Sequence, residues 1–324
     1  MITIFFRQDQ RVVECELKAD AVVPDEPVWI DLVAPTDIEL RQLPQNLNIA
    51  LPNRDEIWRN HALNRMYTRD GTSYMTAALL AGLEHPDLVT ITYVLTPDFL
   101  ITIRDRDTPA FLAVQERLLL RPARFPTSAD VLEALIEDEI SALAHYNDTV
   151  MRGLDTLSSQ VFGDEAVRDQ RINPSLQMRG VLKTNGQWAR ANSNINESLH
   201  SIERLLTYFM ESHNRSDPRL NRDGALLLGD TRSLSEQTAF LSSKIGFLQD
   251  AALGMINVEQ NLVLKIFSVM TVFLVPPTLI AGIYGMNFKE MPELNWTAGY
   301  PLALGLMLVS AIGPYLYFRR KGLL

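Results

Sequence analysis

Two long apolar stretches near the C-terminus dominate the hydrophobic pattern of this chain. Neither Ile266–Tyr284 nor Ala298–Phe318 contains a charged side chain. A helix of nineteen residues rises about 28 Å, which is close to the hydrocarbon thickness of a bilayer. Core helices of this length in soluble proteins usually keep a polar face. We therefore predict two transmembrane helices instead of two buried ones.

Charged residues beside these stretches predict their orientation. Arg319, Arg320 and Lys321 directly follow the second stretch, whereas Lys289 is the single basic residue between the two. By the positive-inside rule the C-terminus is cytoplasmic and the connecting loop is external. Two spans then return the N-terminal part to the cytoplasm, so both termini are expected there.

The first 125 residues alternate short apolar runs with turn residues, which predicts an α+β domain. Runs rich in Val, Ile, Thr and aromatic residues predict strands at Val28–Leu32, Tyr74–Leu80, Leu88–Leu95 and Phe99–Ile103. The last two strands are separated by Thr96-Pro97-Asp98, a sequence typical of a hairpin turn. Thr36 with Glu39 three residues later predicts a capping box at a helix start.

From Ser128 onward the apolar residues recur at three- and four-residue spacing, as in amphipathic helices. The pattern predicts one helix over Ser128–Phe162 and another from about Pro174 to Ser212. A third begins at Pro218 and continues into the first apolar stretch. Such a helix would be on the order of 100 Å long, and it needs packing partners in water. We therefore expect sister helices and an oligomer.

These patterns divide the chain into seven consecutive parts. They are an α/β domain (1–125), a helical hairpin region (126–217), a stalk helix (218–265), a first transmembrane helix (266–287), an external loop (288–297), a second transmembrane helix (298–318) and a basic tail (319–324). The predicted fold is thus an α+β cytoplasmic domain followed by a long helical stalk and two C-terminal transmembrane helices.

Composition and missing motifs narrow the function classes. A net charge of −9 and a pI near 5.1 argue against nucleic acid as a partner and are compatible with cations. The lone Cys15 excludes an intramolecular disulfide and suits a reducing cytoplasm. The N-terminus lacks the pattern of a cleaved signal peptide. The sequence has no phosphate-binding glycine loop, HExxH motif or nucleophile elbow, so we expect neither catalytic residues nor an organic cofactor.

The end of the first apolar stretch carries a specific motif. Tyr284-Gly285-Met286-Asn287-Phe288 is followed by Met291-Pro292-Glu293-Leu294, between two C-terminal apolar stretches and ahead of a basic tail. This arrangement resembles the CorA family of magnesium and cobalt transporters. The likeness extends upstream through Ile256-Asn257-Val258-Glu259-Gln260-Asn261. It reaches the N-terminal domain more loosely, through the sequences WIDL and VLTPDFLITIRD.

The resemblance implies a funnel-shaped homopentamer in the bacterial inner membrane that admits Mg²⁺, together with Co²⁺ or Ni²⁺. Its partners would be copies of itself, divalent metal ions and lipid. In the family the Gly-Met-Asn motif is the selectivity element, which here is Gly285, Met286 and Asn287. The family also senses cytoplasmic Mg²⁺ through carboxylates between subunits. The candidates for that regulatory site are Glu84, Asp87, Asp223, Asp230 and Asp250.

One face of the first transmembrane helix has the pattern expected of a pore lining. Steps of three or four residues place on this face Asn261, Leu264, Ser268, Thr271, Val275, Thr278 and Gly282. Five copies around an axis would form polar rings and, at Leu264 and Val275, apolar constrictions that close by dewetting. Phe267 lies beside this face and is a further gate candidate. The alternative is a face that serves only helix packing.

The external mouth has its own chemistry. Mg²⁺ gives up its water ligands reluctantly, so a ring of Asn287 amides would present neutral oxygens to the hydrated ion. Gly285 would let the backbone turn and expose carbonyl groups there. Glu290 and Glu293 would raise the local cation concentration, although ordinary solvated loop carboxylates are an equal alternative.

Two other functions remain open at this point. One is a zinc transporter of the related ZntB branch, with or without proton coupling. In that branch the middle residue of the motif commonly departs from methionine, so Met286 favours magnesium. The other is a membrane-anchored helical scaffold that transports nothing, which measurements of divalent flux would separate from both transporters.

Overall fold

The structure, a computed structural model, divides the chain into two compact units. It describes residues 1–9, 11–17, 23–47, 49–52, 66–82, 86–163, 174–213, 218–286, 291 and 296–321. The first unit comprises Met1–Asp169 and Gly180–Asp250, and the second comprises Gln170–Arg179 and Ala251–Leu324. These units group residues by contact, whereas the seven parts above group them by sequence pattern. The boundaries of those seven parts stay predictions.

A seven-stranded mixed sheet organises the N-terminal part of the first unit, with strand order β2-β1-β3-β7-β6-β5-β4. The strands are β1 (Ile2–Gln8), β2 (Arg11–Leu17), β3 (Pro27–Val33), β4 (Tyr67–Arg69), β5 (Thr72–Leu80), β6 (Leu88–Leu95) and β7 (Leu100–Arg104). The neighbours β3 and β7 are parallel, and the other paired strands are antiparallel. All five residues of β7 are buried, as expected for a central strand covered on both faces.

Six α-helices occur in the described part of the chain. They are α1 (Asp37–Leu47), α2 (Pro109–Leu120), α3 (Ser128–Phe162), α4 (Pro174–His213), α5 (Pro218–Tyr284) and α6 (Gly299–Arg320). Helix α3 begins with a capping box, in which the backbone N–H of Thr127 donates to Asp130 Oδ2 at 2.7 Å. Helix α5 is 67 residues long and contains Pro276 and Pro277.

Alternate residues of the strands point to two separate apolar layers. On one face, Leu40 and Leu43 of α1 join a buried cluster with Ile30, Ile101 and Ile103 of the central strands. On the other face, an aromatic group covers the same strands. There Trp29 stacks on Phe5 with ring centroids 5.0 Å apart, and Phe111 of α2 packs against Trp29 and Tyr93. Helices therefore cover both faces of the central strands.

A buried ion pair joins the two parallel strands. Arg104 Nη2 donates to Asp31 Oδ2 at 2.7 Å, and Arg104 Nε donates to Asp31 Oδ1 at 3.1 Å, with both residues only 1% exposed. Thr102 Oγ1 and Gln115 Nε2 also donate to this carboxylate, at 2.7 and 3.1 Å. The guanidinium lies 4.4 Å from the ring centre of Phe111. Removal of either charge alone would be strongly destabilising, because the other charge would stay buried without its ion-pair partner.

The C-terminal part of the first unit is a bundle of α3, α4 and α5. Trp188 of α4 packs against Gly153 of α3, where a Cβ atom would lie 2.4 Å from the indole ring. The glycine therefore leaves the space that the indole occupies. An ion pair between Lys244 of α5 and Asp155 of α3 crosses the same bundle.

Most of the elements predicted from the sequence are present. The two strands around Thr96-Pro97-Asp98 form the antiparallel pair β6 and β7, which confirms the hairpin. The capping box is confirmed as well, because the Thr36 backbone N–H donates to Glu39 Oε2 at 2.7 Å and Thr36 Oγ1 accepts from the Glu39 backbone N–H at 3.3 Å. Helix α3 has the predicted bounds, and α5 continues through the first apolar stretch as predicted. The pattern did not identify β1, β2, β4 or α2.

A second buried carboxylate lies between α2 and α3. Glu139 of α3 is 2% exposed, and its Oε1 accepts a hydrogen bond from Thr108 Oγ1 at 3.0 Å. Thr108 is the N-cap residue of α2, so this bond connects the start of α2 to the middle of α3. Burial raises the pKa of Glu139 to about 7, although the Thr108 hydroxyl and the positive charge of Arg104 oppose the shift.

Because the pKa of Glu139 is raised, we predict that the free energy of unfolding falls as pH rises from 4.5 to about 7. A carboxyl group whose folded-state pKa exceeds its unfolded value stabilises the fold fully below the unfolded pKa, and this stabilisation is lost as pH rises through the folded-state pKa. The free energy of unfolding changes by about 3.5 kcal/mol at most, because one pKa unit corresponds to about 1.4 kcal/mol. We expect the melting temperature of the purified protein to fall over this range and to level off above it.

The variant Glu139→Gln removes the titration and keeps an acceptor for Thr108. Its melting temperature should depend much less on pH than that of the native chain. Glu137→Gln is the matched control, because Glu137 is an exposed residue on the same helix, and it should keep the native slope. Equal slopes for the native chain and Glu139→Gln would rule out Glu139 as the source.

Candidate ion pathway

The C-terminal part of α5 and the whole of α6 expose apolar side chains. Their most apolar 18-residue stretches have mean hydropathies of 2.1 and 1.6, and only 0% and 6% of those stretches are buried within the chain. Both helices are long and apolar enough to cross a membrane. Exposed apolar surface of this extent requires contact with lipid or with other protein copies. The two helices thus have the properties of membrane spans.

An aromatic contact defines which side of α5 faces α6. Phe273 of α5 and Tyr315 of α6 pack with ring centroids 5.6 Å apart and an interplanar angle of 48°. The half-buried residues of this part of α5 share the Phe273 side, namely Val269, Val272, Pro276, Pro277, Ile280 and Tyr284. The packing of α6 against this side leaves the opposite side of α5 open.

The predicted pore-lining residues lie on that open side. A helix turns about 100° per residue, so Gly282, nine positions after Phe273, lies half a turn away from it. The whole set is exposed, namely Asn261, Leu264, Ser268, Thr271, Val275, Thr278 and Gly282. Phe267 is also exposed, at 63%, and lies beside this set. These predicted pore-lining residues, called here the pore stripe, therefore lie on one exposed side of α5, away from the α6 of the same chain.

Hydroxyl groups in the pore stripe are oriented by the helix backbone. Ser268 Oγ donates to the carbonyl of Leu264 at 2.9 Å, and Thr271 Oγ1 donates to the carbonyl of Phe267 at 2.8 Å. Thr278 Oγ1 makes the equivalent bond to Leu274. Because each hydroxyl proton is engaged, the free lone pairs of these oxygens point outward as acceptors. Acceptor oxygens of this kind suit a cation or the hydrogens of its water shell.

The predicted selectivity motif begins where α5 ends. The backbone N–H of Gly285 donates to the carbonyl of Ala281 at 2.9 Å, and that of Met286 donates to Ile283 at 3.2 Å. Met286 is 50% exposed and shares an apolar groove of ≈ 550 Å³ with Val275, Thr278 and Gly282. Met286 therefore continues the pore stripe at its far end. Asn287, Glu290 and Glu293 lie outside the described residues.

Among the described residues, the predicted regulatory carboxylates do not form a metal-binding group within one chain. Asp87 forms an exposed ion pair with Arg190 of α4, with 3.0 Å between the charged atoms. Asp223 pairs with its neighbour Arg222 at 3.3 Å. Asp230 and Asp250 are exposed on α5, and Glu84 lies outside the described residues. In the described ranges, no three His, Cys, Asp or Glu side chains could together hold a metal ion.

Sequence reasoning missed the contact between Phe273 and Tyr315. The available signal was an aromatic residue in each apolar stretch, with the one in α5 on the side opposite the pore stripe. This contact matters because α6 covers the Phe273 side of α5 and leaves the opposite side open.

Sequence comparisons match nearly the whole chain. The family described as "CorA-like Mg2+ transporter protein" matches residues 24–320. The "Magnesium transport protein CorA" of Wolinella succinogenes is 32% identical over 301 residues, covering 91% of this chain and 90% of that protein. The protein of the same name from Haemophilus influenzae is 31% identical over 327 residues, covering 99% of each. Both relatives are thus named as transport proteins.

Structural comparisons show the fold. The complete CorA magnesium transporter of Methanocaldococcus jannaschii matches with a TM-score of 0.75 at 19% identity, covering 100% of this chain and 99% of that one. The ZntB cytoplasmic domain of Vibrio parahaemolyticus matches with a TM-score of 0.55 at 12% identity, covering 79% of this chain and 97% of that domain. The predicted architecture of an N-terminal α/β domain, a long helix and two C-terminal apolar helices is therefore confirmed.

The two sides of α5 should differ in their access to water. In a Cys15→Ser background, Thr278→Cys places a thiol on the pore stripe, and Ile280→Cys places one on the side facing α6. A small charged methanethiosulfonate reagent should label Thr278→Cys several-fold faster than Ile280→Cys. The thiolate is the reactive form, and a thiol in a water-filled path ionises more readily than one packed between two helices. Labelling rates are measured in reconstituted membranes by mass spectrometry. Equal rates would contradict the assignment of the stripe.

Proposed function

The chain belongs to the CorA-like Mg²⁺ transporter family, and we propose that it forms a homopentameric channel for Mg²⁺ influx across the bacterial inner membrane. The observation that carries the proposal is the match over residues 24–320 together with the exposed pore stripe of α5. We further propose that Co²⁺ and Ni²⁺ use the same path, and that both termini lie in the cytoplasm.

The pore stripe requires more than one chain. The hydroxyl groups of Ser268, Thr271 and Thr278 would be less favourable against lipid tails than in a bundle interior or a wet cavity. A single α5 encloses no path, whereas several copies around one axis convert each polar side chain into a ring of oxygens. Five copies are proposed by resemblance to the family, and the acceptor orientation of the three hydroxyls supports a cation path.

The proposed selectivity ring is Gly285, Met286 and Asn287 at the external end of α5. A carboxylate ring would compete with water for a bare ion, whereas amide oxygens bind the water shell of Mg²⁺ and leave it intact. A Cβ atom on Gly285 would lie 3.1 Å from the carbonyl of Ala281, so a side chain there would press on the end of the helix. Glu290 and Glu293 are proposed to concentrate cations at this mouth.

Gating is proposed to use the apolar members of the pore stripe. Leu264 and Val275, with Phe267 beside them, would form rings narrow enough to exclude water and block ions when the pore is closed. Transport would run down the electrochemical gradient. A potential of about 100 mV, negative inside, favours entry of a divalent ion by roughly 4–5 kcal/mol.

Regulation by cytoplasmic Mg²⁺ is proposed at carboxylates between subunits, drawn from Glu84, Asp87, Asp223, Asp230 and Asp250. Bound Mg²⁺ would offset the repulsion between carboxylates and favour a symmetric closed state, and its loss would let the subunits separate. The exposed positions of Asp230 and Asp250 on α5 leave both available to a neighbouring chain. Within its own chain Asp87 is held by Arg190, so a metal would have to displace that guanidinium.

A zinc transporter is the second candidate function. The observation behind it is that the ZntB cytoplasmic domain shares the fold of this chain. The CorA magnesium transporter of Methanocaldococcus jannaschii shares that fold as well, so the fold is compatible with both functions. Met286 in the motif and the magnesium transport proteins among the relatives favour Mg²⁺.

Divalent uptake into proteoliposomes tests the proposal. We expect uptake of Mg²⁺ that is faster than uptake of Zn²⁺, and Asn287→Ala should reduce the Mg²⁺ rate by at least about tenfold because the water shell loses its ring of acceptors. Asn196→Ala is the matched control, since Asn196 is a half-buried asparagine of α4 and lies outside the pore stripe. The control should keep the native rate.

Other outcomes would reject the magnesium channel. Uptake of Zn²⁺ that rises with an inward proton gradient, with little uptake of Mg²⁺, would favour the zinc transporter. Correctly folded oligomers that pass no divalent ion would favour the non-transporting scaffold.

A further inference from the structure

The apolar segments of α5 and α6 pack against each other in antiparallel directions. Half-buried residues recur on α5 from Val269 to Tyr284, and buried or half-buried residues recur on α6 from Ala303 to Phe318. The contact between Phe273 and Tyr315 fixes how these two segments align. Parallel helices would place Ala303 level with residue 261, where α5 is exposed throughout. Antiparallel helices place it level with the end of α5, as the burial of both segments requires.

Basic side chains follow this packed segment on both helices. Lys265 lies one helix turn before the packed part of α5, and Arg319, Arg320 and Lys321 come directly after the packed part of α6. Because a helix rises 1.5 Å per residue, all four lie within about one turn of the same end of the helix pair. All four are exposed. We call Lys265, Arg319, Arg320 and Lys321 the basic cluster.

The basic cluster differs from the other cations of α5 in having no carboxylate partner. Each basic residue of α5 ahead of Lys265 forms an ion pair, namely Arg219 with Asp130, Arg222 with Asp223, Arg232 with Glu203 and Lys244 with Asp155. Within the described ranges, no carboxylate forms an ion pair with any member of the basic cluster. The positive charge at this end of the helix pair is therefore left for an anion outside the chain.

The basic cluster also reverses the sign of charge along the chain. Residues 1–250 contain 36 acidic and 25 basic side chains, whereas residues 251–324 contain 3 acidic and 5 basic ones. The connecting loop at the other end of the helix pair carries Lys289 together with Glu290 and Glu293. A negatively charged partner is thus repelled by most of the chain and attracted at this one end.

Apolar surface beside the basic cluster indicates what kind of anion fits. Ile266 directly follows Lys265 and is exposed, and Leu316 and Tyr317 are exposed just ahead of Arg319. A ligand that covers both surfaces needs an anionic group joined to apolar chains. Inorganic phosphate or a nucleotide would leave the apolar part uncovered. Arginine binds phosphate oxygens through paired N–H groups, and lysine adds a compact positive charge.

We propose that the basic cluster binds the phosphate groups of anionic phospholipids, in the leaflet at the C-terminal end of the two spans. Clusters of four or more basic residues beside a membrane span attract anionic lipid in this way. The lipid phosphates supply the counter-charges that the chain lacks at this level. The binding requires only that α5 and α6 cross the membrane. The identification of this leaflet as the cytoplasmic one rests on the proposed function.

Spin-labelled lipids measure the preference. The full chain is reconstituted in phosphatidylcholine vesicles with a trace of spin-labelled phosphatidylglycerol or spin-labelled phosphatidylcholine, and the spectra separate lipid in contact with protein from bulk lipid. At low salt the parent should prefer phosphatidylglycerol by about threefold or more. The variant Lys265→Gln/Arg319→Gln/Arg320→Gln/Lys321→Gln should lower this ratio to about one, because its side chains stay polar and lose their charge.

A matched control separates the basic cluster from net charge. Arg106→Gln/Arg121→Gln/Arg124→Gln/Lys183→Gln removes the same four charges from exposed residues of the first unit and should keep the parent ratio. A ratio of one for the parent at low salt, or equal ratios for the parent and the cluster variant, would overturn the proposal.

Salt provides a test that needs no substitution and so does not depend on the folding of a variant. Raising KCl to about 1 M reduces the range of electrostatic attraction to about 3 Å. The parent ratio should then fall towards one, and it should recover when the salt is removed. A preference for phosphatidylglycerol that is unchanged at high salt would contradict binding through these charges.

Inorganic phosphate tests the other source of the same chemistry. When it replaces chloride at equal ionic strength, the parent ratio should stay the same, because free phosphate lacks the apolar chains. Loss of the preference in phosphate alone would assign the basic cluster to soluble phosphate compounds and reject the lipid.

Mg²⁺ uptake by the same vesicles separates this inference from the proposed function. A preference for phosphatidylglycerol without Mg²⁺ uptake would keep the lipid site and reject the channel. Uptake of Mg²⁺ without the preference would keep the channel and reject the lipid site.

Discussion

The continuity of α5 is the constraint on which the other features depend. This helix runs from Pro218 to Tyr284, so one backbone connects the water-soluble bundle to the apolar stretch of the chain. In the bundle α5 packs against α3 and α4, and in its apolar stretch it packs against α6 through Phe273 and Tyr315. In each part these contacts determine which side of the helix stays open.

Two kinds of buried polar group coexist in the first unit. The Asp31–Arg104 pair joins the parallel strands β3 and β7 to helix α2, because Gln115 of α2 also donates to the Asp31 carboxylate. The side-chain amides of Asn147, Asn185 and Asn192 donate to α5 from α3 and α4. The first group thus connects the sheet to its covering helix, and the second connects the three helices of the bundle.

Local patterns predicted local structure well in this chain. The three-and-four spacing of apolar residues predicted the bounds of α3, and the Thr36–Glu39 pair predicted the capping box of α1. Strands such as β1 and β2 escaped prediction because their pairing joins residues distant from one another in sequence. For the same reason the α6-facing side of α5 became known only from the Phe273–Tyr315 contact. The shared face of the predicted pore-lining residues follows from the period of one helix, and their role stays a prediction. The amide contacts of Asn147, Asn185 and Asn192 with α5 join three helices and were not predictable.

We propose that this chain conducts Mg²⁺ passively through a path lined by α5. Mg²⁺ uptake by proteoliposomes under an imposed membrane potential, with no nucleotide and no proton gradient, tests this directly. We expect uptake that grows as the interior is made more negative and that stops when the potential and the Mg²⁺ gradient are both removed. Uptake that ignores the potential, or that requires a nucleotide or a proton gradient, would contradict a passive Mg²⁺ channel.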